Sequence, residues 1–113
     1  MRRLRTAVLG LGAMLVLASC NTKTTTIKQL LSDPGKYDGK TVQIAGQVEQ
    51  SIGALGFGAY EVKDQTGTIP VVTEGGGSPS RGTEVGVQGT FRAAYTLGTQ
   101  SRAVVIEKKR VSR

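Results

Sequence analysis

Asp38-Gly39-Lys40-Thr41-Val42-Gln43-Ile44-Ala45-Gly46-Gln47-Val48 begins as a turn and continues as an alternation. Tyr37 to Lys40 carries the turn signal. From Thr41 to Ser51, Val42, Ile44, Gly46 and Val48 share one face, and Gln43, Gln47 and Glu49 the other. That period of two predicts a half-buried strand, with Gly46 as a bulge or bend. Working outward, Ile52 to Gly58 reads as a glycine-rich loop. Ala59 to Lys63 reads as a second strand with Tyr60 and Val62 inward. Asp64-Gln65-Thr66-Gly67 is a tight turn, with Gly67 suited to a positive φ. Thr68 to Thr73 forms a third strand, and Pro70 assigns it to a sheet edge or a bulge. A loop follows from Glu74 to Gly82. Thr83 to Phe91 is a fourth strand, with Val85, Val87 and Phe91 in phase. Arg92 to Ser101 reads as a longer loop, and Arg102 to Lys108 as a fifth strand. Before the first strand, Ile27, Leu30 and Leu31 make a short helical stripe. Thr25 or Thr26 is placed to cap it, and Asp33-Pro34-Gly35 to stop it.

Five short strands on so short a chain predict an all-β protein, a small five-stranded barrel with a short N-terminal helix over one end. Closure removes the exposed sheet edges that a small sheet would otherwise carry. Residues 38–48, Tyr60 to Ile69, and Pro79, Gly82 and Val85-Gly86-Val87-Gln88-Gly89 together resemble the OB-fold pattern of tRNA-anticodon-binding-like domains. The resemblance covers residues 26–108. It implies an OB-fold barrel and a ligand face on the second and third strands. It does not imply one ligand, because the matching residues are strand cores and turns.

The ends of the chain carry a different message. Arg2, Arg3 and Arg5 precede an uncharged apolar run from Ala7 to Ala18. That is the pattern of a secretory signal peptide, too short to span a membrane as a helix. Leu17-Ala18-Ser19-Cys20 resembles a bacterial lipobox. The resemblance implies cleavage after Ser19 and acylation of Cys20, and so an extracytoplasmic chain held by membrane lipid. Asn21 after the cysteine leans towards the outer membrane if the cell is Gram-negative. The expected organisation is a signal peptide at 1–19, acylated Cys20 and tether at 20–25, OB-fold domain at 26–108 and basic tail at 109–113.

The whole chain has 113 residues, 38% hydrophobic and 20% charged, with 15 Lys and Arg against 8 Asp and Glu. Three of the cations lie in the leader and four in Lys108, Lys109, Arg110 and Arg113. The remaining mature body is neutral, so the overall basicity does not mark a nucleic-acid face. The tail has two readings, contact with anionic lipid headgroups or a disordered end.

The composition argues against an enzyme. There is no His, so no imidazole base and no His metal ligand, and if the one Cys is acylated, as the lipobox resemblance implies, there is no thiol nucleophile. Asp64-Gln65-Thr66-Gly67 is a hairpin turn rather than half of a paired-carboxylate site. No cofactor or metal is expected. The candidate ligand-binding residues are Glu61 and Lys63 on the second strand, Phe57 and Tyr95 in the flanking loops, and Arg92 and Arg102 near the second loop. The aromatics either stack on a ligand or complete the barrel ends, and the arginines either meet the ligand or face water. The expected function is a non-catalytic module binding a protein, peptide, glycan or small ligand at the cell envelope. Single-stranded nucleic acid is the alternative.

Overall fold

The first strand is too long to serve a single neighbour, and this decides the architecture. β1 (Thr41–Ala54) pairs with β4 (Glu84–Leu97) along its first half, Thr41↔Thr90 to Gln47↔Glu84. Its second half pairs with β2 (Phe57–Lys63), Gln47↔Lys63 to Ala54↔Phe57. β2 continues into β3 (Thr68–Thr73), which lies parallel to β5 (Gln100–Ser112) at Val71↔Val105 and Val72↔Ile106. β5 returns along β4 and closes the barrel in the order β1-β2-β3-β5-β4. The computed structural model describes residues 24–54, 57–74, 77–97 and 99–112, without the side chains of residues 52–57. The stretches expected to be a signal peptide and a lipobox with Cys20, together with Gly75-Gly76, lie outside the described residues.

Two glycines make the handovers. At Gly46, where β1 passes from β4 to β2, a Cβ would sit 2.3 Å from the Lys63 carbonyl oxygen. At Gly89 it would sit 2.1 Å from the Ile106 carbonyl oxygen, beside the bulge that sets Gln88 and Gly89 against Lys109 and Glu107. Only a residue without a side chain lets two backbones come this close. The bulge expected at Gly46 lies elsewhere: Gly46 pairs in regular register with Val85, and the register shift of β1 falls between Val48 and Gln50 in its pairing with β2. Gly67 differs from expectation: among the described residues the positive-φ glycines are Gly39 and Gly82. Gly67 is small because Ile27 packs on it, with Cγ2 at 3.3 Å from where a Cβ would be.

The helix α1 (Ile27–Ser32) covers one end of the barrel, with Ile27 and Leu30 fully buried in the same core cluster as Val42, Ile44, Val62 and Ile69. A second turn, α2 (Pro34–Tyr37), begins on the proline that stops α1. Phe91, Val87, Val71 and Tyr60 continue the core. Pro70 stands where β3 has only β2 as a partner, an edge position as expected.

The largest departures from the sequence reading are two extensions of strand. Arg92 to Leu97 is not a loop but the end of β4, with Tyr95↔Arg102 and Leu97↔Gln100 pairing it to β5. Residues 108–112, expected largely as a tail, continue β5, with Gln88↔Lys109, Val87↔Arg110 and Val85↔Ser112. Ile52 to Gly58, expected as a loop, is likewise mostly hairpin, with Gly53↔Gly58 and Ala54↔Phe57.

Candidate functional site

The alternation of β2 sends Tyr60 and Val62 into the core and Ala59, Glu61 and Lys63 outward. The outer face continues over Thr68, Pro70 and Val72 on β3 to Arg102 and Val104 on β5. Ala59, Pro70, Val72 and Val104 are buried although they point outward. Beyond the barrel, Tyr95 to Leu97 and Gln100 to Arg102 pair only with each other, forming an arm beside this face.

Most of the sequence-derived candidates meet here. The Arg102 guanidinium reaches across β3 to the Glu61 carboxylate, 3.7 Å away, with the two side chains 42% and 22% exposed. Tyr95 is the cross-strand partner of Arg102, so their side chains leave the same side of the arm. Arg92 is exposed opposite Val104. Lys63 lies one step further along β2 and pairs loosely with Glu49 at 4.0 Å, both well exposed. Phe57 begins β2, and its side chain is not among those described. An exposed pair of this kind contributes little to stability, so Arg102 and Glu61 are free to exchange partners with a ligand.

Two polar clusters go beyond the sequence reading. The first is the turn at Asp64. Its carboxylate accepts from the Ile27 amide (2.9 Å), the Thr66 amide (2.7 Å), the Thr66 hydroxyl (2.6 Å) and the Gly67 amide (3.0 Å). The Lys28 amide donates to Thr66 Oγ1 at 3.0 Å, and the Gln29 amide to Thr26 Oγ1 at 3.2 Å. All three leading amides of α1 are thus satisfied, two of them by a turn far away in sequence. Partial burial raises the Asp64 pKa, but the hydrogen bonds from Thr66, Ile27 and Gly67 outweigh it and hold the carboxyl below its ordinary value. The hairpin-turn reading of Asp64 is correct, and its tie to α1 is additional.

The second cluster closes the barrel interior between β2 and β5. Tyr60 donates its hydroxyl to Glu107, Arg110 pairs with Glu107 at 3.2 Å, and the Arg110 guanidinium lies 5.5 Å from the Tyr60 ring centre. Burial first, then the bond to Glu107, pushes the Tyr60 hydroxyl well above its ordinary pKa. Arg110 is therefore an inward-facing strand residue. The signal that would have revealed it is Tyr60 itself, a buried hydroxyl that needs a partner.

Among the described residues no group of three His, Cys, Asp or Glu is disposed to hold a metal ion. Among them, too, no helix is long and apolar enough to cross a membrane.

No known protein family description matches the chain, and no curated protein does. Solved structures do. The asparaginyl-tRNA synthetase of Pyrococcus horikoshii aligns with a TM-score of 0.66 and 20% identity over 80% of this chain. The same enzyme complexed with asparaginyl-adenylate aligns with a TM-score of 0.67 and 19% identity over 81%. This chain spans less than a quarter of the length of that enzyme, 23% and 22% in the two structures. At such identity the likeness concerns the fold. The described residues form a five-stranded OB-fold barrel.

Proposed function

We propose that this chain is a non-catalytic binding domain whose ligand is single-stranded nucleic acid, laid over the outer face of β2, β3 and β5 and flanked by the β4–β5 arm. The observation that carries the reading is Tyr95 opposite Arg102 on that arm. An aromatic ring beside a guanidinium is the pairing that stacks a base and meets its phosphate. The fold shared with an aminoacyl-tRNA synthetase supports the same reading. It reverses the order suggested by the neutral body of the sequence. The electrostatic contribution is correspondingly small: Glu61 already pairs with Arg102 and Glu49 with Lys63, so Arg92 supplies the positive charge at the face that is outside an ion pair among the described residues.

A protein or peptide at the cell envelope is the second reading, favoured by the outward but buried Pro70, Val72 and Val104. Both readings take the chain to be exported and held to a membrane by acylated Cys20, on the strength of residues 17–20 in the sequence.

Fluorescence anisotropy with short labelled oligonucleotides on residues 21–113, at low and near-physiological salt, separates the two. Stacking on Tyr95 is worth about 1–3 kcal/mol, so Tyr95→Ala is expected to weaken binding by roughly five- to 150-fold. Glu61→Gln is expected to tighten it by freeing Arg102. Absence of binding at low salt, or binding indifferent to Tyr95→Ala, rules the nucleic-acid reading out.

A further inference from the structure

One row of residues runs across the barrel on the side of β1, β4 and β5. The Thr25 amide donates to the Gln43 carbonyl oxygen at 2.7 Å. Gln43 pairs with Gln88, and Gln88 with Lys109. The next row is Ala45, Gly86 and Val111, and the third ends on Gln47 and Glu84. Of these, Gln43, Ala45, Gln47, Glu84, Gly86 and Val111 line one shallow groove, with Lys63 and Asp64 on its far wall. Its floor is Ala45 and Gly86, and nothing lies within 4 Å of where a Gly86 Cβ would be. On β5, Lys108 and Lys109 are exposed, and Val111 is 68% exposed. Among the described residues lining it, the carboxylates are Asp64, which has four donors, and Glu84.

We infer that this face, with Lys108, Lys109 and Val111, is the surface that rests on an anionic lipid bilayer. Two observations select that occupant. The first is where the chain enters the fold. Thr25 stands at the end of the Gln43–Gln88–Lys109 row, about 14 Å from Lys109 at three strand spacings. From Cys20 to Thr25 the tether spans at most about 17 Å. An anchor on Cys20 therefore delivers this side of the barrel to the membrane. The second is chemistry. Two adjacent lysines beside a projecting valine match an interface of anionic headgroups over acyl chain. Among the described residues β5 has no partner beyond Ile106 on the side away from β4, and the lysines and the bulge at Lys108 discourage a second strand from adding there. The lipid contact occupies a different side of the barrel from the Tyr95–Arg102 arm, so an anchored domain keeps its ligand face towards the aqueous phase. The inference rests on the Cys20 anchor and not on the identity of the ligand.

The test uses the full acylated chain in vesicles of one part phosphatidylglycerol to two parts phosphatidylcholine. With Cys20 acylated, Val111→Cys or Ser101→Cys supplies the single free thiol for an environment-sensitive fluorophore. A nitroxide-bearing lipid is expected to quench the label at position 111 and to leave the label at 101, on the arm, nearly unquenched. The difference should vanish in pure phosphatidylcholine. Each cation is worth about fivefold in membrane affinity, so Lys108→Gln with Lys109→Gln should weaken binding of the unacylated Cys20→Ser chain to the anionic vesicles by roughly 25-fold. Circular dichroism of the glutamine pair confirms that the barrel persists. Equal quenching at both positions overturns the inference, as does quenching that ignores lipid charge. Loss of oligonucleotide binding in the glutamine pair assigns the face to nucleic acid and overturns it as well. Two reactive thiols per labelled chain would instead show Cys20 to be free, which refutes the anchor on which the inference rests and leaves the Tyr95 test untouched.

Discussion

Removing the Asp64 carboxylate should loosen the domain at two places with one substitution. In Asp64→Ala, the Thr66 and Gly67 amides lose their acceptor within the turn, and the Ile27 amide loses its acceptor at the start of α1. The Thr66 hydroxyl, which receives the Lys28 amide, loses the acceptor that orients it. A lost helix cap costs about 0.5–2 kcal/mol, and each hydrogen bond to a charged group about 1.5–3 kcal/mol when buried. Asp64 is only partly buried, and water replaces some of these bonds, so the expected loss is about 2–4 kcal/mol. That is a large fraction of the ~5–15 kcal/mol that holds a domain together. Asp64→Asn is the sharper variant. Its one carbonyl oxygen serves either the turn or the helix, while its amide meets a second donor, so it should lie about 1–2 kcal/mol below the parent. The pH dependence gives an independent reading. Because the folded state holds this carboxyl below its ordinary value of 3.8, its contribution is complete above that pH and is lost as acid protonates the folded form. Urea unfolding between pH 7 and pH 3 should show the parent losing stability towards acid more steeply than Asp64→Asn. Parallel curves, or an alanine variant within about 0.5 kcal/mol of the parent, would refute the reasoning.

Gly46→Ala and Gly89→Ala each drive a Cβ into a carbonyl oxygen of the neighbouring strand. Each should cost more than about 3 kcal/mol or abolish folding, while Gly86→Ala melts like the parent. Tyr60→Phe should cost about 1–2 kcal/mol at neutral pH by leaving Glu107 with Arg110 alone. Because the folded pKa of Tyr60 is raised, the parent should hold its stability below the ordinary tyrosine value of 10.0 and lose it as pH rises beyond, a decline that thermal melts of the phenylalanine variant should lack. A chain ending at Glu107 should melt lower and less cooperatively, because it loses the β4 pairings from Gln88 to Val85 together with Arg110; an unchanged melt would return residues 108–112 to the status of a tail.

The barrel was legible because its inner residues alternate without interruption. Val42, Ile44, Tyr60, Val62, Val71, Val85, Val87 and Phe91 all proved to be core. The ends of β4 and β5 were not legible, for two separate reasons. On the arm, a register shift between Arg92 and Tyr95 breaks the alternation, and both faces are partly wet. At the C-terminus, the bulge at Lys108 changes the phase, and the next inward residue is a charged arginine neutralised by Glu107. Hydrophobic periodicity cannot register a strand whose inward residue is an ion. The candidate site was legible residue by residue but not as a group. Glu61 and Arg102 sit on strands that are not neighbours, and only the closure of β3 on β5 brings them together. The Asp64 turn was visible as a turn, while its service to α1 depends on where the helix docks.

The same docking gives the fold a mechanical character. Tension applied to the chain upstream of Thr24 reaches the barrel first at the Thr25–Gln43 bond, then at Ile27–Asp64 and Lys28–Thr66. These three bonds fasten Thr25 to β1 and Ile27 and Lys28 to the β2–β3 turn, so the load enters the sheet at two separate points. A pull on the leading end must extract Ile27 and Leu30 from the core before it can unzip any strand. The short helix therefore acts as a strain relief, taking up force that would otherwise fall on the first hydrogen bonds of β1.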